Sequence, residues 1–283
     1  MEELPGYDFE AVIIIGNGFD LSLGLKTSYN DFVESNYFES LLKADNSLAK
    51  YLNARHSLHN WIDIENELKK YSKGQSNDDR FLEDFKALSN ALKDFLNKVN
   101  LSEFDHEQPA IKTFQSIKDM PTLIIDFNYT DTVSKISDFL DLKISDVDSH
   151  FHHLKIHGTL ENDDLIFGVE DKADIIPKHI FLKKSVNKSF QPIDFSKEIL
   201  NSSNFIIFGH SLGETDHMYF EDYFKHASIP SETRGYQNIV IYHYGEESYY
   251  DLFAQLDKLT QKKITKLKQL NNLVFTNTKK SSK

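Results

Sequence analysis

The stretch that decides the fold is AVIIIGNGFD at residues 11–20, which joins an apolar run to a glycine-rich loop. An alanine followed by four β-branched residues is typical of a strand buried on both faces of a parallel sheet. Similar runs, each bounded by turn residues, recur along the chain. The predicted strands are Ala11 to Ile15, Thr122 to Asp126, Phe151 to Ile156, Asn204 to Phe208 and Asn238 to Tyr242. Strands that alternate with helices predict an α/β fold with a doubly wound, Rossmann-like parallel sheet, whose ligands bind beyond the carboxyl ends of the strands.

Residues 28–118 show helical periodicity instead. It covers Tyr29 to Leu42, Leu58 to Tyr71 and Asp79 to Val99, and a shorter piece precedes Met120. This stretch is longer than an ordinary crossover between two strands. We therefore predict a helical subdomain at residues 28–118, inserted into a core formed by residues 1–27 and 119–283. Near the end of the chain, Glu246 to Gln269 predicts one long helix or two.

The composition excludes several classes of protein. The 283 residues include 44 acidic and 32 basic side chains, for a formal net charge of −12, which argues against non-specific nucleic-acid binding. Without cysteine there is no disulfide framework, thiolate nucleophile or cysteine zinc site. The opening MEELPGYDFE is acidic where a signal peptide is basic, and the first apolar run is too short to span a bilayer. We expect a cytoplasmic protein without membrane or nucleic-acid partners that handles a small molecule.

The first candidate site is the loop Gly16-Asn17-Gly18-Phe19-Asp20 after the first strand. Glycines there allow backbone N–H groups to approach a phosphate, and a helix N-terminus favours negative charge. Leu21 stands where the dinucleotide fingerprint of dehydrogenases has its third glycine. We interpret the loop as nucleotide-binding, and a tight strand-to-loop turn is the alternative.

The second candidate site is the stretch from Asp126 to Asp131, DFNYTD, at the end of the second core strand. The carboxamide of Asn128 can both donate and accept, so it can hold a sugar hydroxyl or a water. Asp131 is a candidate for ligand binding, although both it and Thr130 are also suited to cap the following helix.

The third candidate is the run HFHHLKIHG at residues 150–158. In a strand, His153 and His157 share one face and His150 and His152 the other, so the four side chains do not converge on a metal. We therefore expect no metal. His157 stands before a glycine at a strand end, where a general base is typically exposed.

The fourth candidate is Gly209-His210-Ser211-Leu212-Gly213 after the strand Asn204 to Phe208. Its pattern matches the nucleophile elbow of α/β-hydrolases, in which Ser211 would be the nucleophile. The alternative is a glycine loop that receives a ribose or phosphate, with Gly209, His210 and Ser211 as binding residues.

The predicted insertion contributes one further candidate, the acidic side chain of Glu65. Trp61, Ile64, Glu65 and Leu68 share one face of a predicted helix. Glu65 either projects towards the ligand crevice or forms a salt bridge at the boundary of the core, and the sequence leaves both readings open.

Together these motifs resemble the AbiH family of bacteriophage abortive-infection proteins. The resemblance rests on five segments between Val12 and Asp216, in this order: IIIGNGFDLSLGLKTSYNDF, WIDIENEL, FNYTDTV, IHGTL and IFGHSLGETD. That family is in turn distantly similar to sirtuin-like NAD-consuming domains. By this resemblance Gly16 and Gly18 match the phosphate loop, Asn128 the asparagine that orders the glycosidic-bond chemistry, and His157 the catalytic histidine.

The resemblance extends to Gly209 and Ser211, which match the loop that holds the adenosine side of NAD. Two departures limit it. Thr130 stands where the sirtuin pattern has an aspartate, and Asp131 comes one residue late. The four-cysteine zinc module of the protein-deacetylating sirtuins is also missing, since the chain has no cysteine. The resemblance therefore implies water or an internal hydroxyl, rather than an acetylated protein, as the acceptor.

The resulting expectation is an antiphage protein that hydrolyses NAD, or a related nucleotide, at the nicotinamide–ribose bond. Asn128 and His157 are its expected catalytic residues, and His157 would accept a proton from a ribose hydroxyl or from water. We expect both to line one pocket with the two glycine loops, roofed by helices of the insertion. Because uncontrolled NAD loss kills the host, we also expect a gating protein partner or a homo-oligomer. The alternatives are a non-catalytic nucleotide sensor and a serine hydrolase.

Overall fold

A computed structural model describes residues 8–59, 63–74, 80–101, 104–144, 150–161, 164–191, 193–232 and 234–279. In this part of the chain, six parallel strands form one sheet in the order β3-β2-β1-β4-β5-β6. The strands are β1 (Ala11–Ile15), β2 (Thr122–Asp126), β3 (Phe151–Lys155), β4 (Asn204–Phe208), β5 (Asn238–His243) and β6 (Asn272–Asn277). This is the strand order of the doubly wound dinucleotide-binding fold, whose order reverses between β1 and β4. The prediction of a Rossmann-like α/β sheet is confirmed.

Helices connect the strands and form most of the rest of the described chain. They are α1 (Asn17–Ser22), α2 (Tyr29–Val33), α3 (Asn36–Lys43), α4 (Ser47–His59), α5 (Ile64–Gly74), α6 (Phe81–Leu96), α7 (Pro109–Ile117), α8 (Thr132–Leu140), α9 (Ser196–Asn201), α10 (Glu221–Ala227), α11 (Gly245–Leu259) and α12 (Ile264–Leu270). None of the described helices is long and apolar enough to cross a bilayer.

Several predicted helices differ from the observed ones. The helix predicted from Tyr29 to Leu42 is two helices, because Ser35 caps α3 by accepting from the backbone N–H of Phe38. The helix predicted from Leu58 to Tyr71 is the end of α4 followed by α5, since Asp63 is not helical. By contrast, the segment from Glu246 to Gln269, predicted as one long helix or two, does form two, α11 and α12. Trp61 of the predicted Glu65 face lies outside the described residues.

The chain forms two compact units. The first contains Met1–Gly24, Leu101–Ile156 and Pro192–Lys283, and therefore the whole sheet. The second contains Leu25–Asn100 and His157–Gln191, so it combines α2 to α6 with a second segment that holds short 3₁₀ helices. The predicted insertion spanned residues 28–118. The observed second unit leaves α7 to the first unit and includes residues 157–191.

The core of the first unit is apolar and aromatic. On one face of the sheet, β-strand side chains such as Phe205 and Ile207 pack with Tyr223 and Phe224 of α10. On another side, Phe19 of α1 contacts Phe114 of α7 and Phe208 of β4. β1 is buried throughout, as its apolar run predicts. This packing fixes the carboxyl ends of the strands, where the candidate residues lie.

Candidate functional site

Two glycine loops meet at the point where the strand order reverses. The N–H of Gly16 donates to the carbonyl of Phe208 (3.0 Å), and that of Gly18 donates to the carbonyl of Gly209 (2.9 Å). A Cβ on Gly16 would lie 2.6 Å from the Cα of His210, and one on Gly18 would lie 2.7 Å from the Cα of Gly209. Gly209 itself has a φ of +69°. Only glycine fits at these positions, because the two loops are in backbone contact.

This contact also limits what the loop can donate to a ligand. The N–H of Gly18 is already used within the protein, and Asn17 is half-buried at the first position of α1. The close approach explains the glycines without a phosphate. The nucleotide-binding role predicted for Gly16, Asn17, Gly18 and Gly209 stays a prediction.

His210 is fixed in a single orientation beside this junction. Its Nδ1 accepts from the backbone N–H of Leu212 (3.0 Å), and its Nε2 lies 3.4 Å from a carboxylate oxygen of Asp216. The ring packs against Phe127 with centroids 4.4 Å apart. Because Nδ1 accepts, the proton of the neutral ring is on Nε2 and points towards Asp216.

The GHSLG segment has only part of the geometry of a nucleophile elbow. Ser211 is exposed, but the residue with a strained positive φ is Leu212 (+52°). In hydrolases the nucleophile itself occupies the strained turn. Both nitrogens of His210 are engaged elsewhere, so this neighbouring histidine is not placed to take a proton from Ser211.

A buried polar network lies just beyond β1 and β2, around Asp20. Its carboxylate accepts from the Asn128 side-chain Nδ2 (3.1 Å) and from the Thr130 hydroxyl (2.6 Å). The Thr132 hydroxyl in turn donates to Thr130. Asp20, Asn128 and Thr130 are all at least 95% buried. Burial raises the pKa of Asp20 to about 6, although Thr130 and Thr132 act against the rise.

The contact with Asp20 determines how Asn128 presents its amide. A carboxylate only accepts, so the atom of Asn128 that faces Asp20 is the NH₂ group. The carbonyl Oδ1, which is the hydrogen-bond acceptor of the Asn128 side chain, therefore points away from the Asp20 carboxylate. A residue with one fixed acceptor is suited to orient a hydroxyl or a water.

A second buried cluster, Asp126 with His153 and Lys155, supports the same loop from β2 and β3. The Asp126 carboxylate lies 3.0 Å from His153 Nε2 and 3.0 Å from Lys155 Nζ, and it accepts from the Asn128 backbone N–H (2.8 Å). Burial by itself would raise the pKa of Asp126, but the charges and hydrogen bonds of Lys155 and His153 lower it below its ordinary value.

Lys155 also donates to the backbone carbonyls of Asn128 and Thr130, so it holds both ends of the turn that contains Asn128. The sequence did not predict that Asp126, His153 and Lys155 support this turn. The available signal was register, because Asp126 and Lys155 are the terminal residues of adjacent parallel strands and are directly paired. In a single sequence, charged residues at strand ends look solvated.

The remaining predicted residues are placed separately. Asp131 is exposed at the N-cap of α8, and its side chain makes no capping hydrogen bond. No group of three or more His, Asp or Glu side chains in the described residues is arranged to hold a metal. Within the histidine run, His153 contacts the Asp126 carboxylate, and His152 packs edge-on against Phe9.

His157 follows β3 and belongs to the second unit. A tight turn positions it: its carbonyl accepts from the Ile166 N–H, and the Thr159 N–H donates to the Asp164 carboxylate. Gly158 has a φ of +74°, and a Cβ there would collide with the Asp164 carbonyl. The imidazole is buried, with Nε2 3.3 Å from Lys184 Nζ.

Glu65 of α5 forms a buried ion pair with Lys184 (3.1 Å). Of the two readings the sequence left open, the structure therefore shows a salt bridge for this side chain. Asn128 and His157 belong to different units, and the prediction that they line one pocket stays a prediction.

A cavity of about 570 Å³ in the first unit lies away from all the predicted residues. It is lined by Leu200, Ile229, Pro230 and Arg234, among others, and so lies near the amino ends of β4 and β5. Arg234 donates to the carbonyls that end α10. Ligands of doubly wound sheets bind at the carboxyl ends of the strands, so this cavity is not our candidate site.

Comparison with known families decides the classification. A family model described as bacteriophage abortive infection AbiH matches residues 12–238, which is most of the chain. The chain belongs to the AbiH family. The match begins in β1 and reaches the start of β5, so it includes both glycine loops, the Asp20–Asn128 network and His157. No curated protein matches the chain.

Membership of the AbiH family supports a role in abortive infection, the form of antiphage defence named by the family. It also accounts for the order of the motifs along the chain.

Proposed function

We propose that the protein defends against phage by hydrolysing NAD, or a related nucleotide, at the nicotinamide–ribose bond. The observation that carries the proposal is the buried hydrogen bond between Asp20 and Asn128 at the carboxyl edge of β1 and β2. In a sheet of this order, ligands bind at that edge, next to the reversal between β1 and β4. The resemblance to sirtuin-like domains assigns the glycosidic-bond chemistry to the same asparagine.

The protein has little covalent chemistry to perform in this reaction. The bond between C1′ and the nicotinamide nitrogen breaks, and nicotinamide leaves with the electron pair. Water adds to the oxocarbenium-like carbon and gives up a proton, which yields ADP-ribose. Orienting the water and the ribose hydroxyls supplies much of the rate. The fixed Oδ1 of Asn128 is suited to that task.

Two groups are candidates to receive the proton. Asp20 contacts Asn128 and has its pKa raised to about 6 by burial, which is close to the range that suits a general base at neutral pH. His157 is the residue favoured by the resemblance. We further propose that a gating protein or self-association controls the activity, because unregulated NAD loss would kill the host.

The test is the NAD content of infected cells that express each variant. We expect Asn128→Ala and His157→Gln to prevent NAD loss and to abolish protection from phage. Asn201→Ala is the matched control, because Asn201 is an exposed asparagine of the same unit and should behave as wild type. Full protection by a folded Asn128→Ala variant would overturn the catalytic assignment.

A second candidate function is nucleotide binding without cleavage, as a sensor. It is favoured by Thr130, which stands where the sirtuin pattern has the aspartate that accompanies the asparagine. Thermal-shift titrations with NAD, ADP-ribose and nicotinamide separate the two functions. Stabilisation by NAD with no nicotinamide release in infected cells would favour the sensor.

A further inference from the structure

Three side chains that are distant in sequence form a buried chain of contacts in the second unit. The Lys184 ammonium lies 3.1 Å from a Glu65 carboxylate oxygen and 3.3 Å from the Nε2 of His157. Glu65 and Lys184 are 7% and 4% exposed, and His157 is 6% exposed. Lysine is almost never fully buried unless it is paired. Here Glu65 supplies the opposite charge, and His157 takes another of the lysine N–H groups.

The chemistry of the lysine determines the state of the imidazole. An ammonium has three donors and no acceptor, so the Nε2 of His157 must accept from it. The proton of the neutral ring is then on Nδ1. An imidazolium has no lone pair to accept with, and it would place a second positive charge 3.3 Å from the first. The contact therefore disfavours the protonated ring as well.

We infer that Lys184 is a positioning residue, which Glu65 holds in place and which keeps His157 as the neutral tautomer with its proton on Nδ1. The consequence for catalysis rests on the proposed NAD hydrolysis. In that reaction the Nε2 of His157 is occupied by Lys184, so it does not accept the proton of the attacking water. Asp20 is then the remaining candidate for that proton.

The tautomer can be measured without any enzyme activity. Protein labelled with nitrogen-15 in its histidines reports, through the ring nitrogen shifts, which nitrogen of each ring carries the proton. Comparison with a His157→Gln sample assigns the signals of His157. We expect protonated Nδ1 and unprotonated Nε2 at neutral pH. A proton on Nε2 in the wild-type protein would overturn the inference.

Variants test whether Lys184 is the cause. Lys184→Arg retains a donor and should preserve the tautomer, whereas Lys184→Met should release it. Because Lys184→Met leaves the Glu65 carboxylate buried and unpaired, the double variant Glu65→Gln with Lys184→Met provides a neutral replacement of similar size. Lys188→Met changes an exposed lysine of the same segment and is the control. Unchanged His157 signals in both Met variants would contradict a positioning role.

Kinetics then connect the tautomer to the proposed reaction. We expect Lys184→Met to lower kcat about a hundredfold with little change in KM, and Lys184→Arg to recover most of it. A purely structural role would give no such recovery pattern with folded variants. If the wild-type protein does not cleave NAD but shows the expected tautomer, the proposed function fails and the assignment of Lys184 stands.

Discussion

At the scale of single residues, Asp20 is a buried carboxylate whose pKa is about 6 in the folded protein against an ordinary 3.8. A raised pKa means that ionisation of this group opposes folding. Its contribution to the free energy of unfolding is therefore most favourable below about pH 4 and is lost as the pH rises through 6. The two values differ by an amount worth about 3 kcal/mol.

We therefore expect Asp20→Asn to raise the free energy of unfolding at pH 7, by up to about 3 kcal/mol less the cost of weakening the Thr130 hydrogen bond. Urea unfolding at pH 7 and pH 5 measures the effect. The advantage of the variant should shrink at the lower pH, because wild-type Asp20 becomes protonated there. A difference that does not depend on pH would contradict the assignment.

Ser211 provides a second prediction at this scale. A fluorophosphonate probe should leave it unlabelled, because His210 uses Nδ1 for Leu212 and turns Nε2 towards Asp216. Mass spectrometry of the treated protein checks this, with Ser211→Ala as the matched control. Stoichiometric labelling that is lost in the alanine variant would favour the serine-hydrolase reading over NAD hydrolysis.

At the scale of the elements, the loops after β1 and β4 depend on the absence of side chains. Gly16→Ala places a methyl group 2.6 Å from the His210 backbone, so the loops must separate, and we expect a loss of several kcal/mol. Gly235→Ala is the control in the same unit, since nothing lies near its added Cβ. Thermal unfolding of both variants is the measurement. An unperturbed Gly16→Ala would mean that the two loops do not touch.

The paired ends of β2 and β3 carry the Asp126–Lys155 ion pair. Asp126→Asn leaves the Lys155 charge largely buried without its main partner, and we expect a loss of about 3–5 kcal/mol in the free energy of unfolding. The double variant with Lys155→Met should recover part of it. Glu107→Gln, which breaks an exposed ion pair with Lys112, should change little. Equal effects of the buried and exposed changes would contradict the role given to this pair.

The elements also show which parts of the fold were readable from sequence. The bounds of β1, β2 and β4 were predicted to the residue, because their apolar runs of five residues are too short for buried helices and are bounded by turn residues. β6, with the sequence NLVFTN, was missed. It is an edge strand that is only half-buried and has asparagine at both ends, so neither a continuous apolar run nor strict alternation marks it.

At the scale of the whole molecule, the sequence predicted the class of fold and the candidate loops but not the residues that hold them. Asn128 and His157 were predicted from their positions at strand ends and from the resemblance, whereas Lys155 and Lys184 were not predicted. Each lysine is held by an acidic partner that only folding brings near. Lys155 pairs with Asp126 on the adjacent strand, and Lys184 pairs with Glu65, which is 119 positions away in the sequence. Lys184 also begins a 3₁₀ helix of only three residues (Lys184–Val186), where no periodicity marks a buried position.

The proposed function requires that this chain cleave NAD with water and that it need Asn128 to do so. The most direct measurement takes protein purified from infected cells, adds NAD in isotopically labelled water and follows the products by mass spectrometry. We predict equal amounts of nicotinamide and ADP-ribose, with the label on the ribose C1′ hydroxyl, and no product from Asn128→Ala. The absence of nicotinamide release by the wild-type protein, or equal release by the two proteins, would contradict it.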